Sequence, residues 1–105
     1  MTSLKKHYNA VAALGCYCCY VDYGKWVEPS LHHPFGRKRG REKDVIPLCW
    51  HHHQSGNHET PLSIHGNKKE WIAKYGEQEH ILEIVNAAAE VGIWPMVKEL
   101  EGERV

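Results

Sequence analysis

The chain has 105 residues and a mass of 12.1 kDa, enough for one domain that can bury roughly 60–65% of its unfolded surface. Its 13 Lys and Arg balance 13 Asp and Glu, which excludes a uniformly basic nucleic-acid coat and an acidic solvating tail. With 42% apolar and 25% charged residues it reads as a folded domain, and nine histidines and four cysteines are the surplus to be explained.

Leu4, Tyr8, Val11, Ala12 and Leu14 recur at nearly helical spacing and predict a helix over about 3–14, stopped by Gly15. The N-terminus lacks the apolar run of a signal peptide, and nothing approaches the roughly 20 apolar residues of a membrane span. A cytoplasmic protein with reduced thiols is expected, so the cysteines read as metal ligands rather than disulfides. Cys16, Cys18 and Cys19 then form a tight turn. The aromatic and β-branched run over 20–28, broken by Gly24, predicts a small hairpin or one strand and a turn ending near Pro29. Residues 31–34 would close the second strand.

Arg37, Lys38, Arg39, Arg41 and Lys43 follow with two glycines. They predict a mobile loop, and with Glu42 they give residues 36–43 a net charge of +4. Residues 44–48 return the chain to the interior, and Cys49 opens a short helix ended by Gly56. After a loop over 57–66, helices are predicted over about 68–74 and 77–91, with a charged tail from Lys98 that frays. Trp94 and the apolar face from Ile81 to Ala88 suit either the core or a dimer contact.

Cys16 and Cys19 make a C-x-x-C pair, and Cys49 and His52 share one helix face at i, i+3. Together they form a Cys₃His half-site pair of the kind that holds structural zinc and compensates for a small core. Cys18 is left over. It can replace Cys16 or Cys19 only with poorer geometry, and some of these cysteines can instead be ordinary buried thiols. His53 points about 100° further round the same helix. His32 and His53 read as holding a divalent cation with His33 beside it, neutral and able to take a proton from water. That needs a bend, since neighbours in a strand face opposite ways, and Pro34 supplies a strand end. His51, His58 and His80 read as surface residues. The basic loop, next to the His doublet, reads as contacting phosphates.

In this combination the sequence resembles the HNH, or ββα-metal, nucleases. Their C-x-x-C, catalytic doublet and Leu-Cys-x-x-Cys-His become Cys16-x-x-Cys19, His32-His33 and Leu48-Cys49-x-x-His52-His53 here. Within that superfamily it is most similar to the phage RecA-dependent recombination-enhancement nucleases. The likeness runs through Leu31-His32-His33-Pro34-x-Gly36-Arg37, Pro47-Leu48-Cys49-x-x-His52-His53-Gln54, Ile64-His65-Gly66 and the stretch from Trp71 to Gly76. It spans about residues 14–85. The phage nuclease of this type also carries a long basic N-terminal extension without a counterpart here, so the resemblance concerns the nuclease core.

The resemblance implies an α+β fold: one HNH domain over 1–105, with a zinc-stapled ββα-metal core over about 14–66 and flanking helices over about 3–14 and 67–92. It implies a metal-dependent endonuclease that hydrolyses DNA, phage-derived, acting in the host cytoplasm and linked to recombination. Structural Zn2+ and catalytic Mg2+ or Mn2+ (or Zn2+ in a crystal) are the implied cofactors. DNA and a RecA-type recombinase filament are the implied partners, with no membrane. His33 would be the general base. His32 and His53, with His65 added, would hold the catalytic ion, and Cys16, Cys19, Cys49 and His52 the zinc. Asp44 stands where the middle Asn of the family belongs and would orient His33 through a carboxylate–imidazole hydrogen bond. Two other classes compete with this expectation: a non-catalytic zinc-stabilised module that binds nucleic acid, and a zinc-dependent hydrolase acting on another substrate.

Overall fold

In the computed structural model, which describes residues 3–36, 39–54 and 63–95, the first helix, α1 (Ser3–Leu14), matches its predicted span. Val11 and Leu14 are buried, and Gly15 ends the helix at φ 82°. A side chain at Gly15 would also put its Cβ 2.7 Å from the Trp26 ring, so both backbone and space demand glycine there. The last carbonyls of a helix lack partners within it. Here two indoles supply them: Trp26 Nε1 donates to Ala13 O at 2.9 Å and Trp94 Nε1 to Leu14 O at 2.9 Å. Trp94 is buried, against Tyr17 and Tyr20. Trp94→Phe is therefore expected to cost about 1–3 kcal/mol, since it orphans a buried carbonyl, whereas Trp26→Phe at an exposed indole costs less. Thermal unfolding of the two variants checks this order.

The cysteine segment is not a tight turn, and the run after it is not a hairpin. Cys16 caps the N-terminus of a second helix, α2 (Tyr17–Tyr23), its Sγ accepting from Cys19 N at 3.4 Å. Gly24, at φ 63° and ψ 27°, ends that helix in the left-handed conformation. Strand propensity loses here because Tyr17, Cys18 and Val21 bury one helical face, and short apolar runs are ambiguous between the two periods. An ion pair and a hydrogen bond tie α2 to one later helix, with Asp22 Oδ2 accepting from Tyr75 OH at 2.6 Å and from Lys74 Nζ at 3.3 Å.

The first strand, β1 (Ser30–His32), begins where the second was expected to close. It pairs antiparallel with β2 (Ile46–Leu48) across the basic loop, in the register Ser30↔Leu48, Leu31↔Pro47, His32↔Ile46. All three β2 residues are buried, because helices cover this small ribbon. A two-stranded ribbon has little stability of its own. Cys49 caps α3 (Trp50–His53), which completes a ββα unit. The last helices, α4 (Lys68–Tyr75) and α5 (Gln78–Val91), follow close to their predicted spans. Ile81, Leu82, Val85, Ala88 and Trp94 are all buried, so the α5 face belongs to the core. The fold is thus a small α+β domain of one two-stranded sheet with flanking helices. Among the described residues no helix is long and apolar enough to cross a membrane. Gly56, His58 and the charged tail lie outside the described residues.

Candidate metal centres

Caps bring the four proposed zinc ligands together. Cys16 caps α2, Cys19 lies in its first turn, and Cys49 caps α3 with His52 three residues on. Cys19 Sγ is 3.7 Å from Cys49 Sγ, and His52 Nδ1 lies 3.6, 3.5 and 3.2 Å from the sulfurs of Cys16, Cys19 and Cys49. Sulfurs about 2.3 Å from one tetrahedral ion lie about 3.8 Å apart, so the spacing fits such an ion. All four residues are buried. Burial pushes the Cys19 and Cys49 thiols up, and a Cys16 thiolate adds to it. Cys16 is held low, first by the Cys18 thiol and then by His52. One divalent cation among the sulfurs would offset both burial and mutual repulsion. Cys18 stays outside the ligand set, fully buried, its thiol raised by that burial.

The next residue of α3 serves a second cluster. His32, His53 and His65 bring one ring nitrogen each within 4.8 Å of one another. His65 is exposed, and the chain carrying it pairs with the end of α3. Ile64 N donates to His52 O at 2.9 Å and His65 N to His53 O at 3.1 Å. β1 ends at His32, and the turn that follows, with Gly36 N donating to His33 O, frees His33 from strand alternation.

Neighbours determine where the ring protons sit. Ser30 has one hydroxyl proton and donates it to Leu48 O at 3.1 Å, so His53 Nδ1–H donates to Ser30 Oγ at 2.9 Å. Gln78 Oε1 only accepts, so His32 Nε2–H donates to it at 2.8 Å. The lone pairs of His32 Nδ1 and His53 Nε2 are then left facing each other 3.1 Å apart. Burial drives the His32 pKa down to about 4 against the opposing pull of Gln78, and burial also lowers that of His53. Neither ring readily takes a proton to bridge that gap. Two nitrogens about 2.1 Å from one ion at right angles lie about 3.0 Å apart, so the pair fits a metal ion.

The predicted polar partners divide differently. Asp44 accepts from Arg41 Nε, and Arg41 also stacks on Phe35 at 4.0 Å. The partner on His33 Nε2 is Tyr8 OH, at 3.2 Å. Arg39 and Lys43 are exposed, while Arg37 and Lys38 lie outside the described residues. His51 is exposed against Trp50, and His80 lies 3.9 Å from Glu83. Sequence reasoning missed Tyr8, Ser30 and Gln78. Ser30 carried a signal, because it precedes His32 by two and so shares its strand face. Gln78 and Tyr8 carried none.

No solved structure matches the chain. A family model described as "Recombination enhancement, RecA-dependent nuclease" matches residues 2–90, from α1 almost to the end of α5. A match over that much of the sequence, on a chain whose ββα unit gathers two Cys and His clusters, shows that it belongs to the recombination-enhancement, RecA-dependent nuclease family.

Proposed function

We propose that the chain is an HNH-type, metal-dependent endonuclease, phage-derived, that hydrolyses DNA in the host cytoplasm alongside a recombinase filament. The observation that carries this reading is the approach of His32 Nδ1 and His53 Nε2 to 3.1 Å, each the nitrogen that the other hydrogen bond of its ring leaves without a proton. The Cys16, Cys19, Cys49 and His52 cluster takes structural Zn2+, since three thiolates and an imidazole are donors that zinc prefers. His32, His53 and His65 take Mg2+ or Mn2+. Such an ion neutralises charge that develops on the phosphodiester and its leaving oxygen.

His33 acts as general base. It takes a proton from water as the water oxygen bonds to phosphorus, and the bond from phosphorus to the leaving sugar oxygen breaks. Arg39 and Lys43, together with Arg37 and Lys38 of the same sequence run, contact phosphates of the DNA. Arg41 and Asp44 act differently in this reading: their ion pair braces the loop beside His33.

Purified protein with Mg2+ or Mn2+ is expected to nick or linearise plasmid DNA, with faster cleavage of filament-coated DNA. Wild-type protein carrying one ion and no cleavage activity would leave the zinc-stabilised binding module instead. Gln78→Ala and Ser30→Ala are each expected to weaken the second ion about 10- to 100-fold while leaving zinc content unchanged. Calorimetric titration with Mn2+ measures this.

A further inference from the structure

We infer that Tyr8, from the helix ahead of the ββα unit, selects the nitrogen with which His33 accepts a proton. The inference rests on the reading of His33 as general base. Tyr8 has a single hydroxyl proton, and its O–H donates to the Glu42 carbonyl at 2.6 Å. A carbonyl can only accept, so the direction of that bond is settled. Toward His33 Nε2, 3.2 Å away, the Tyr8 oxygen is therefore the acceptor, and Nε2 carries the hydrogen. The lone pair of the neutral ring then sits on Nδ1. The two rings meet edge to face, with centroids 6.0 Å apart at 89°, which restrains the imidazole's rotation as well as its tautomer.

Tyr8 is well placed to act as a positioning residue. Val11, one turn further along α1, is fully buried, and α1 packs on α5 and on both strands. The hydroxyl thus projects from a packed helix onto a loop carbonyl and a ring 25 residues downstream. The neighbouring His7 Nε2 lies 2.9 Å from Lys43 O and also holds the loop. His7 separates two roles, because it pins the loop without touching the Tyr8–His33 bond.

The test uses the full zinc-loaded chain. Long-range proton–nitrogen correlation spectra are expected to show His33 as the Nε2–H tautomer in wild type, and a mixture in Tyr8→Phe. Cleavage by Tyr8→Phe is expected to lose about 10- to 100-fold in kcat with KM unchanged. On a His33→Ala background the same change should cost nothing further, and His7→Ala should keep the wild-type tautomer and kcat. A wild-type Nδ1–H tautomer, an unchanged tautomer in Tyr8→Phe, or an equal kcat loss in His7→Ala would each overturn the inference. If the wild-type chain cleaves no DNA, the nuclease reading fails, while the spectra still decide what Tyr8 does to the ring.

Discussion

Replacing Cys49 with serine is expected to abolish cooperative unfolding and zinc content together. The four candidate ligands come from the start of α2 and the start of α3, about 30 residues apart, and the ribbon between them is only two strands of three residues. Apparent binding energies of structural zinc run to about 10–16 kcal/mol, whereas whole domains are stable by only about 5–15 kcal/mol. A hydroxyl in place of the thiolate removes a donor and leaves two sulfurs and an imidazole buried around the gap. Near-UV circular dichroism and zinc analysis of the purified variant measure both losses, and a strong chelator should reproduce them in wild type. Cys18→Ala is the control. Its sulfur lies outside the ligand set, so that variant keeps its zinc and loses about 1–3 kcal/mol for a small cavity. A folded, zinc-replete Cys49→Ser protein would overturn the staple.

His33→Ala is expected to slow DNA cleavage about 10²- to 10⁴-fold while both metal contents stay at the wild-type level. His53→Ala should lose the second ion and cleavage together, because its Nε2 is one of the two facing lone pairs. The contrast separates a proton acceptor from a ligand. Metal analysis alongside a plasmid assay reads both, and equal cleavage by His33→Ala and wild type would remove His33 from the chemistry. Residual cleavage that depends on added Mn2+ in His53→Ala would instead show that His32 and His65 suffice to hold the ion.

Much of this was legible in the residues. The spacing of apolar side chains located α1 and α5, since each buries a stripe that recurs every three to four positions. C-x-x-C and C-x-x-H located the first cluster, because i, i+3 residues share a helix face whatever surrounds them. The helix over 17–23 was not legible: its aromatic and β-branched residues favour strand, and only burial of Tyr17, Cys18 and Val21 reverses that preference. The basic loop was read as one surface, and the residues gave no sign that Arg41 within it also packs on Phe35 and pairs with the Asp44 carboxylate. Asp44 was assigned to His33 by position in a motif, and the structure puts Tyr8 on His33 Nε2 and Arg41 on Asp44.

By itself the sequence singled out the candidate ligands of the first cluster, because the i, i+3 spacings of Cys16 with Cys19 and of Cys49 with His52 act locally. It also determined the helices with a continuous apolar stripe. The tertiary structure alone decided the protonation pattern of the histidines, which depends on Ser30, Gln78 and Tyr8, all three far from their partners in the chain. A ring nitrogen becomes a lone pair or a donor according to which neighbour can spare a proton, and only the folded chain brings those neighbours within about 3 Å. The surplus of His and Cys in a chain of zero net charge therefore pointed to metal binding, but only folding gathered these side chains into two clusters that could hold an ion.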